Sequence, residues 1–191
     1  MTAAREGLKA EPDSAYVRLL GRVVLFQARR YDESIPALET LLEEFPEWIL
    51  GNYFYALTCA SVGDWPAAVR AAESAVSATP EPFFKGILAH CLRGAGQTPE
   101  ADAIVEELKE LEGSRYVSQW ALAYAMLGSG NTEDIVSRLR CAQEVGDPFL
   151  GVHLVFHEWD PLRSDPRVDR ILRDLGMAAW TAEGVRERFG E

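Results

Sequence analysis

Two marker residues recur along this chain at nearly the same interval, and that double register limits the fold more than any other feature. Pro12, Pro46 and Pro80 stand 34 residues apart, and a second series, Arg29, Gly63, Gly96 and Gly130, advances in steps of 34, 33 and 34 residues. Self-similarity at such a period is the mark of stacked supersecondary units, each unable to bury its apolar face alone. A glycine at the second marker suits the left-handed residue that ends one helix and starts a turn into the next. Arg29 departs from that pattern.

Residues around each turn carry helical spacing. Tyr31 to Leu42 and Trp65 to Val76 place apolar residues at intervals of three and four, so helices are expected and strands are not. After each turn a small or apolar residue, Ser34, Ala68, Ala101 or Ile135, marks close approach to the partner helix. The helix before the turn has its own such position at Ala56, Ala89 and Ala123; the first unit has Arg22 there, with Gly21 beside it.

On these residues the chain resembles the tetratricopeptide repeat family. The resemblance covers four helix pairs at 15–46, 49–80, 82–113 and 116–147, together residues 13–147, and implies an all-α, right-handed α-solenoid. Residues 148–191 are then capping helices. Trp159-Asp160-Pro161-Leu162-Arg163-Ser164-Asp165-Pro166 resembles the stretch that closes such arrays in bacterial proteins. There Ser164 is the expected helix cap, Pro166 the first turn, Val168, Ile171, Leu172 and Leu175 one apolar face, and Gly176 the stop. Residues 1–12, with Ala3–Glu11 at their centre, read as the end of an upstream repeat helix or as a capping helix.

The resemblance also places the concave surface, lined by the first helix of each pair. Its positions are Tyr16, Leu19, Val23 and Phe26; Leu50, Tyr53 and Leu57; Phe83, His90 and Arg93; and Val117, Trp120 and Tyr124. An apolar, aromatic strip of this extent requires a cover. Two covers are expected candidates: a partner polypeptide anchored on its Tyr, Trp and Arg side chains, or the chain's own Ala178–Phe189, with Ala179, Trp180, Val185 and Phe189 as anchors. A clamp for chaperone-tail carboxylates, which some family members carry, is disfavoured because Leu19, Val23, Tyr53 and Leu57 hold the corresponding positions. Tyr31 and Trp65 read as packing residues between helices.

Composition narrows the function classes. The 191 residues are 48% apolar, enough for a core, and the formal net charge is −11. That balance disfavours nucleic acid and anionic membrane surfaces, since both call for a surplus of Lys and Arg. The longest uncharged run, Trp48 to Gly63, is too short to span a bilayer. Cys59, Cys91 and Cys141 lack metal or redox spacing and read as buried thiols in a reducing, cytoplasmic setting. No export signal is visible near Met1.

Catalytic patterns are thin, so the chain reads as a non-enzyme without a cofactor. His153 and His157, four apart, would face one metal if they shared a helix, but the intervening glutamate of a zinc-protease helix is missing. His90 and Cys91 are neighbours and would point apart on a helix. Arg93-Gly94-Ala95-Gly96-Gln97 falls where the period demands a turn, and Glu43-Glu44 and Glu106-Glu107 fall on outer helices. The leading expectation is a protein-interaction scaffold binding a peptide, a helix or a neighbouring domain of a larger parent protein. The alternative is a regulatory domain taking a small ligand or metal through His153, His157 and Arg93.

Overall fold

The computed structural model describes residues 10, 11 and 13–190; the expectation for residues 1–12 falls almost wholly outside them, as does Pro12. Eight helices follow in pairs: α1 (Ala15–Gln27) and α2 (Tyr31–Glu44), α3 (Ile49–Ser61) and α4 (Trp65–Ala78), α5 (Pro82–Gly94) and α6 (Thr98–Glu112), α7 (Gln119–Ala125) and α8 (Thr132–Val145). Each packs on its neighbours in sequence, and α1, α3, α5 and α7 also touch in succession, forming an inner layer. The result is an all-α solenoid, with no strand among the described residues.

The turns show why the second register exists. Gly63, Gly96 and Gly130 have φ of +78°, +79° and +81°, and Arg29 adopts φ +57°. After Arg29, Gly63 and Gly96 the next N–H reaches back five residues: Arg30 to the Leu25 carbonyl, Asp64 to Cys59 and Gln97 to Leu92, at 3.0, 2.9 and 2.9 Å. This is the Schellman closure, which satisfies carbonyls the helix end would orphan. Arg29 accepts the left-handed strain in a position where its side chain has work: it pairs with Asp160 at 2.6 Å and lies over the Phe189 ring at 4.3 Å. Arg29→Gly and Arg29→Ala both lose those contacts, but only alanine keeps the strain. The glycine variant is expected to be the more stable by about 1 kcal/mol in urea denaturation; equal stabilities would mean that the turn carries no strain.

The small residues sit at helix crossings. Ala56, Ala68, Ala89, Ala101 and Ala123 have no exposed surface, and Ser34, equally buried, donates to the Arg22 carbonyl at 3.2 Å. Gly86 lets two helix backbones approach closely, since a Cβ there would lie 2.5 Å from the Ala121 carbonyl oxygen. The last pair departs from the others. Ser118 caps α7 by accepting from Ala121 N, and the left-handed Gly128 follows soon after, so α7 has seven residues.

Beyond α8 come α9 (Leu150–His153), a 3-10 turn (His157–Leu162), α10 (Pro166–Asp174), a second 3-10 turn (Ala178–Trp180) and α11 (Ala182–Phe189). Asp165, not Ser164, caps α10, its carboxylate accepting from Arg167 N at 2.8 Å with Pro166 following. Val168, Ile171 and Leu172 are buried as expected, whereas Leu175 is 37% exposed, because it already lies past the helix, before the left-handed Gly176.

Candidate functional site: the closed concave face and its aromatic cleft

Most residues assigned to the groove do face the inner side, but that side is not open. Leu19, Phe26, Tyr53, Leu57, Val117, Trp120 and Tyr124 are buried, and Val23, Leu50, Phe83, His90 and Arg93 are largely covered. Tyr16 lies outside the groove: it is 62% exposed at the N-terminal end of the array, edge-on to Trp48 at 5.2 Å.

The cover is the chain's own segment 149–163. Phe156 meets Phe26 with ring centres 5.0 Å apart, and Phe149 meets Phe83 at 4.4 Å. The His153 imidazole lies 4.5 Å from the Trp120 ring, and Trp159 is wedged against Trp120 and Tyr124 at 6.4 and 5.8 Å. Rings at these separations gain from quadrupole-matched contact beyond the area they bury. The segment expected to cover the groove, Ala178–Phe189, lies to the side instead. Val185 is buried and Phe189 sits beneath Arg29, but Ala179 is exposed. Arg163 ties this C-terminal segment to the covering one, its buried guanidinium donating to Asp160, the Trp180 carbonyl and the Phe156 carbonyl at 2.6, 2.6 and 2.9 Å. Sequence reasoning placed Trp159 and Arg163 in the terminal cap and assigned neither them nor Phe149 and Phe156 to the groove. The available signal was the density of bulky rings between Phe149 and Trp159, which matches that of the face they fill.

The closure leaves polar groups stranded. The Tyr53 hydroxyl is sealed from solvent with no hydrogen-bond partner, and the equally sealed Tyr124 hydroxyl and the Glu158 carboxyl have little beyond each other to satisfy them. The Ser61 hydroxyl is 3.4 Å from Glu158 Oε1 and better placed for the Leu57 carbonyl at 2.9 Å. Glu158 as a residue is partly exposed, yet its inaccessible Oε2 puts the carboxyl in an apolar setting, and that burial raises its pKa to about 7.

The remaining candidate chemistry does not assemble. α9 ends at His153, whose Nδ1 lies 2.7 Å from the Phe149 carbonyl, and the extended residue Phe156 redirects the chain before His157, which sits 3.8 Å from Asp160. The two imidazoles therefore belong to different elements rather than one helical face, and among the described residues no group of three His, Cys, Asp or Glu could hold a metal. Burial lowers the pKa of His153 and of His90 to about 4, leaving both neutral at pH 7. Arg93 is paired with Asp102 at 2.9 Å. Burial pushes the Cys59 thiol up to about 11 and Cys91 higher still, far from the thiolate a nucleophile needs.

One part of the inner face remains accessible. Between the first turns of α3, α5 and α7 lies a cleft of about 440 Å³, walled by Leu50, Tyr53, Phe83, Phe84, Tyr116 and Phe149, with Glu81 at its edge. That volume falls within the range of about 300–1,000 Å³ typical of ligand pockets. A second hollow of about 410 Å³ between α8 and α10 is lined by Glu133, Val136, Ser137, Arg140, Cys141, Glu144 and Arg167, mostly polar side chains of opposite charge.

No family model matches the sequence. No curated protein matches it either. Among solved structures, the human IFIT1 dimer with PPP-AAAA is similar in fold, with a TM-score of 0.58 at 17% identity, covering 92% of this chain. The chain spans less than half of that chain's length, 42%. The likeness carries the solenoid fold.

Proposed function

We propose that this chain is a non-enzymatic binding scaffold of the tetratricopeptide kind that takes a partner polypeptide at the aromatic cleft, the rest of its concave face being filled by segment 149–163. The cleft carries the reading. Its rings are held rigid by the helices below, and rigid aromatic anchors in a partly desolvated hollow are where interface energy concentrates. Of the thirteen residues assigned to the groove, Leu50, Tyr53 and Phe83 serve the partner, Tyr16 stands apart at the end of the array, and the covered others shape the floor.

The PPP-AAAA in the human IFIT1 structure raises nucleic acid as a competing guest for a solenoid of this fold. The charges at the cleft weigh against it here. Glu81 is the one ionised side chain in its lining, and phosphate recognition depends on cations. No helix among the described residues is long and apolar enough to cross a membrane.

Peptides selected from a display library against the intact protein test the reading. Tyr116, 64% exposed at the cleft mouth, can be truncated without touching the core. Tyr116→Ala is expected to weaken the selected peptides about tenfold or more, while Tyr16→Ala, at the far end of the array, leaves them unchanged. Loss through Tyr16 and not Tyr116 would move the site to the terminal face and sink the proposal.

A further inference from the structure

The cleft's electrostatics specify its guest more narrowly than its shape does. Glu81 stands exposed at the start of α5 and forms no ion pair among the described residues. Behind the opposite wall is Asp147, 6% exposed, and it holds that wall together: one oxygen accepts from Tyr116 Oη, Ser118 Oγ and Trp120 N at 3.2, 2.8 and 3.3 Å, and the other from Phe149 N at 3.0 Å. Every one of these donors is neutral, and no Lys or Arg among the described residues forms an ion pair with Asp147. His153, also in the lining, is neutral at pH 7. Arg115, next to Tyr116 in sequence, does not line the cleft, and Lys85 is turned to Glu107. The walls therefore present ring faces and the Glu81 carboxylate, with the buried Asp147 behind them and no cation in the lining.

We infer that the cleft receives an arginine side chain of the partner polypeptide, its guanidinium stacked on the aromatic wall between Glu81 and the Asp147-backed Tyr116. This rests on the reading of the cleft as the binding site. Ring faces attract cations through their quadrupole, and the planar, weakly hydrated guanidinium suits such stacking better than an ammonium. The same chain uses this chemistry internally, with Arg29 over Phe189 at 4.3 Å and Arg188 over Trp180 at 4.7 Å. The net charge of −11 adds a long-range pull on a basic segment.

The test is a set of NMR titrations of the full chain with three probes: N-acetyl-arginine amide, its uncharged isostere N-acetyl-citrulline amide, and N-acetyl-phenylalanine amide. Resonances of Phe83, Phe84 and Tyr116 are expected to shift with the arginine probe, which binds about fivefold to tenfold more tightly than citrulline. Glu81→Gln, a surface change, should cut that preference about threefold, and added salt should weaken it further. Equal binding of arginine and citrulline, or stronger binding of the phenylalanine probe, would overturn the arginine assignment while leaving the cleft as a binding site. Shifts that follow protein concentration in the absence of probe would make a second copy of the chain the occupant and overturn it likewise. No shift at the cleft with any probe would remove both this inference and the reading beneath it.

Discussion

Trp159→Ala is expected to destabilise the protein by about 3–5 kcal/mol, the range for truncating a large aromatic in a packed interior. Trp159 has no exposed surface and packs on Trp120 and Tyr124, one turn apart on α7, so alanine leaves a cavity between the covering segment and that helix. Urea denaturation followed by circular dichroism measures the loss. Tyr16→Ala serves as the contrast, since an exposed ring at the array's end should change stability by no more than about 0.5 kcal/mol. A comparably small effect for Trp159 would mean that segment 149–163 rests on the array without being part of its core.

The second large effect concerns Glu158 and depends on pH. Its carboxyl is raised from 4.5 to about 7 in the folded chain by burial, with nearby Asp160 adding in the same sense and the Tyr124 and Ser61 hydroxyls opposing. Between those values the unfolded chain releases a proton that the folded chain keeps. The group's contribution is therefore full below pH 4.5 and is lost as pH rises through 7. Glu158→Gln removes the ionisation. The variant should match the parent near pH 4.5 and exceed it by roughly 2–3 kcal/mol at pH 8, since each tenfold change in proton affinity on folding corresponds to about 1.4 kcal/mol. His90 and His153 act in the opposite sense, costing stability as pH falls from 6.5 towards 4 in both proteins, and so cancel from the difference. A difference that stays flat from pH 4.5 to 8 would place Glu158 in water.

What could be read from the residues divides along physical lines. Turns and close crossings are local steric demands: a left-handed residue at Gly63 or Gly96 and a missing side chain at Ala68 or Ala89 leave their mark wherever they occur. The register that they trace is therefore visible without coordinates. Arg29 shows the limit, because its reason for replacing glycine is a carboxylate more than a hundred residues away. The closure of the concave face is of the same kind. Trp120 and Tyr124 face inward by helical periodicity, but whether water, a partner or the chain itself meets them is decided by the path of residues 149–163. That path turns on the extended Phe156 and on Arg163, whose three tie points are spread from Phe156 to Trp180.

The cleft was half legible for the same reason. Leu50, Tyr53 and Phe83 belonged to the inner face by position, whereas Phe149 and Tyr116 join them only because Asp147 gathers the start of α7 and the start of the covering segment onto one carboxylate. Trp120, an apparent anchor by residue type, is shut beneath His153 and cannot reach a partner.

The measurement that bears most directly on the closed concave face is a set of inter-ring nuclear Overhauser contacts in the intact protein. Phe26 and Phe156, 5.0 Å apart between ring centres, and Phe83 and Phe149, 4.4 Å apart, should both give cross-peaks, alongside the Tyr53 to Phe83 contact at 5.5 Å within the array. The Tyr53 to Phe83 contact present while the other two are absent would mean an open groove, contradicting the account.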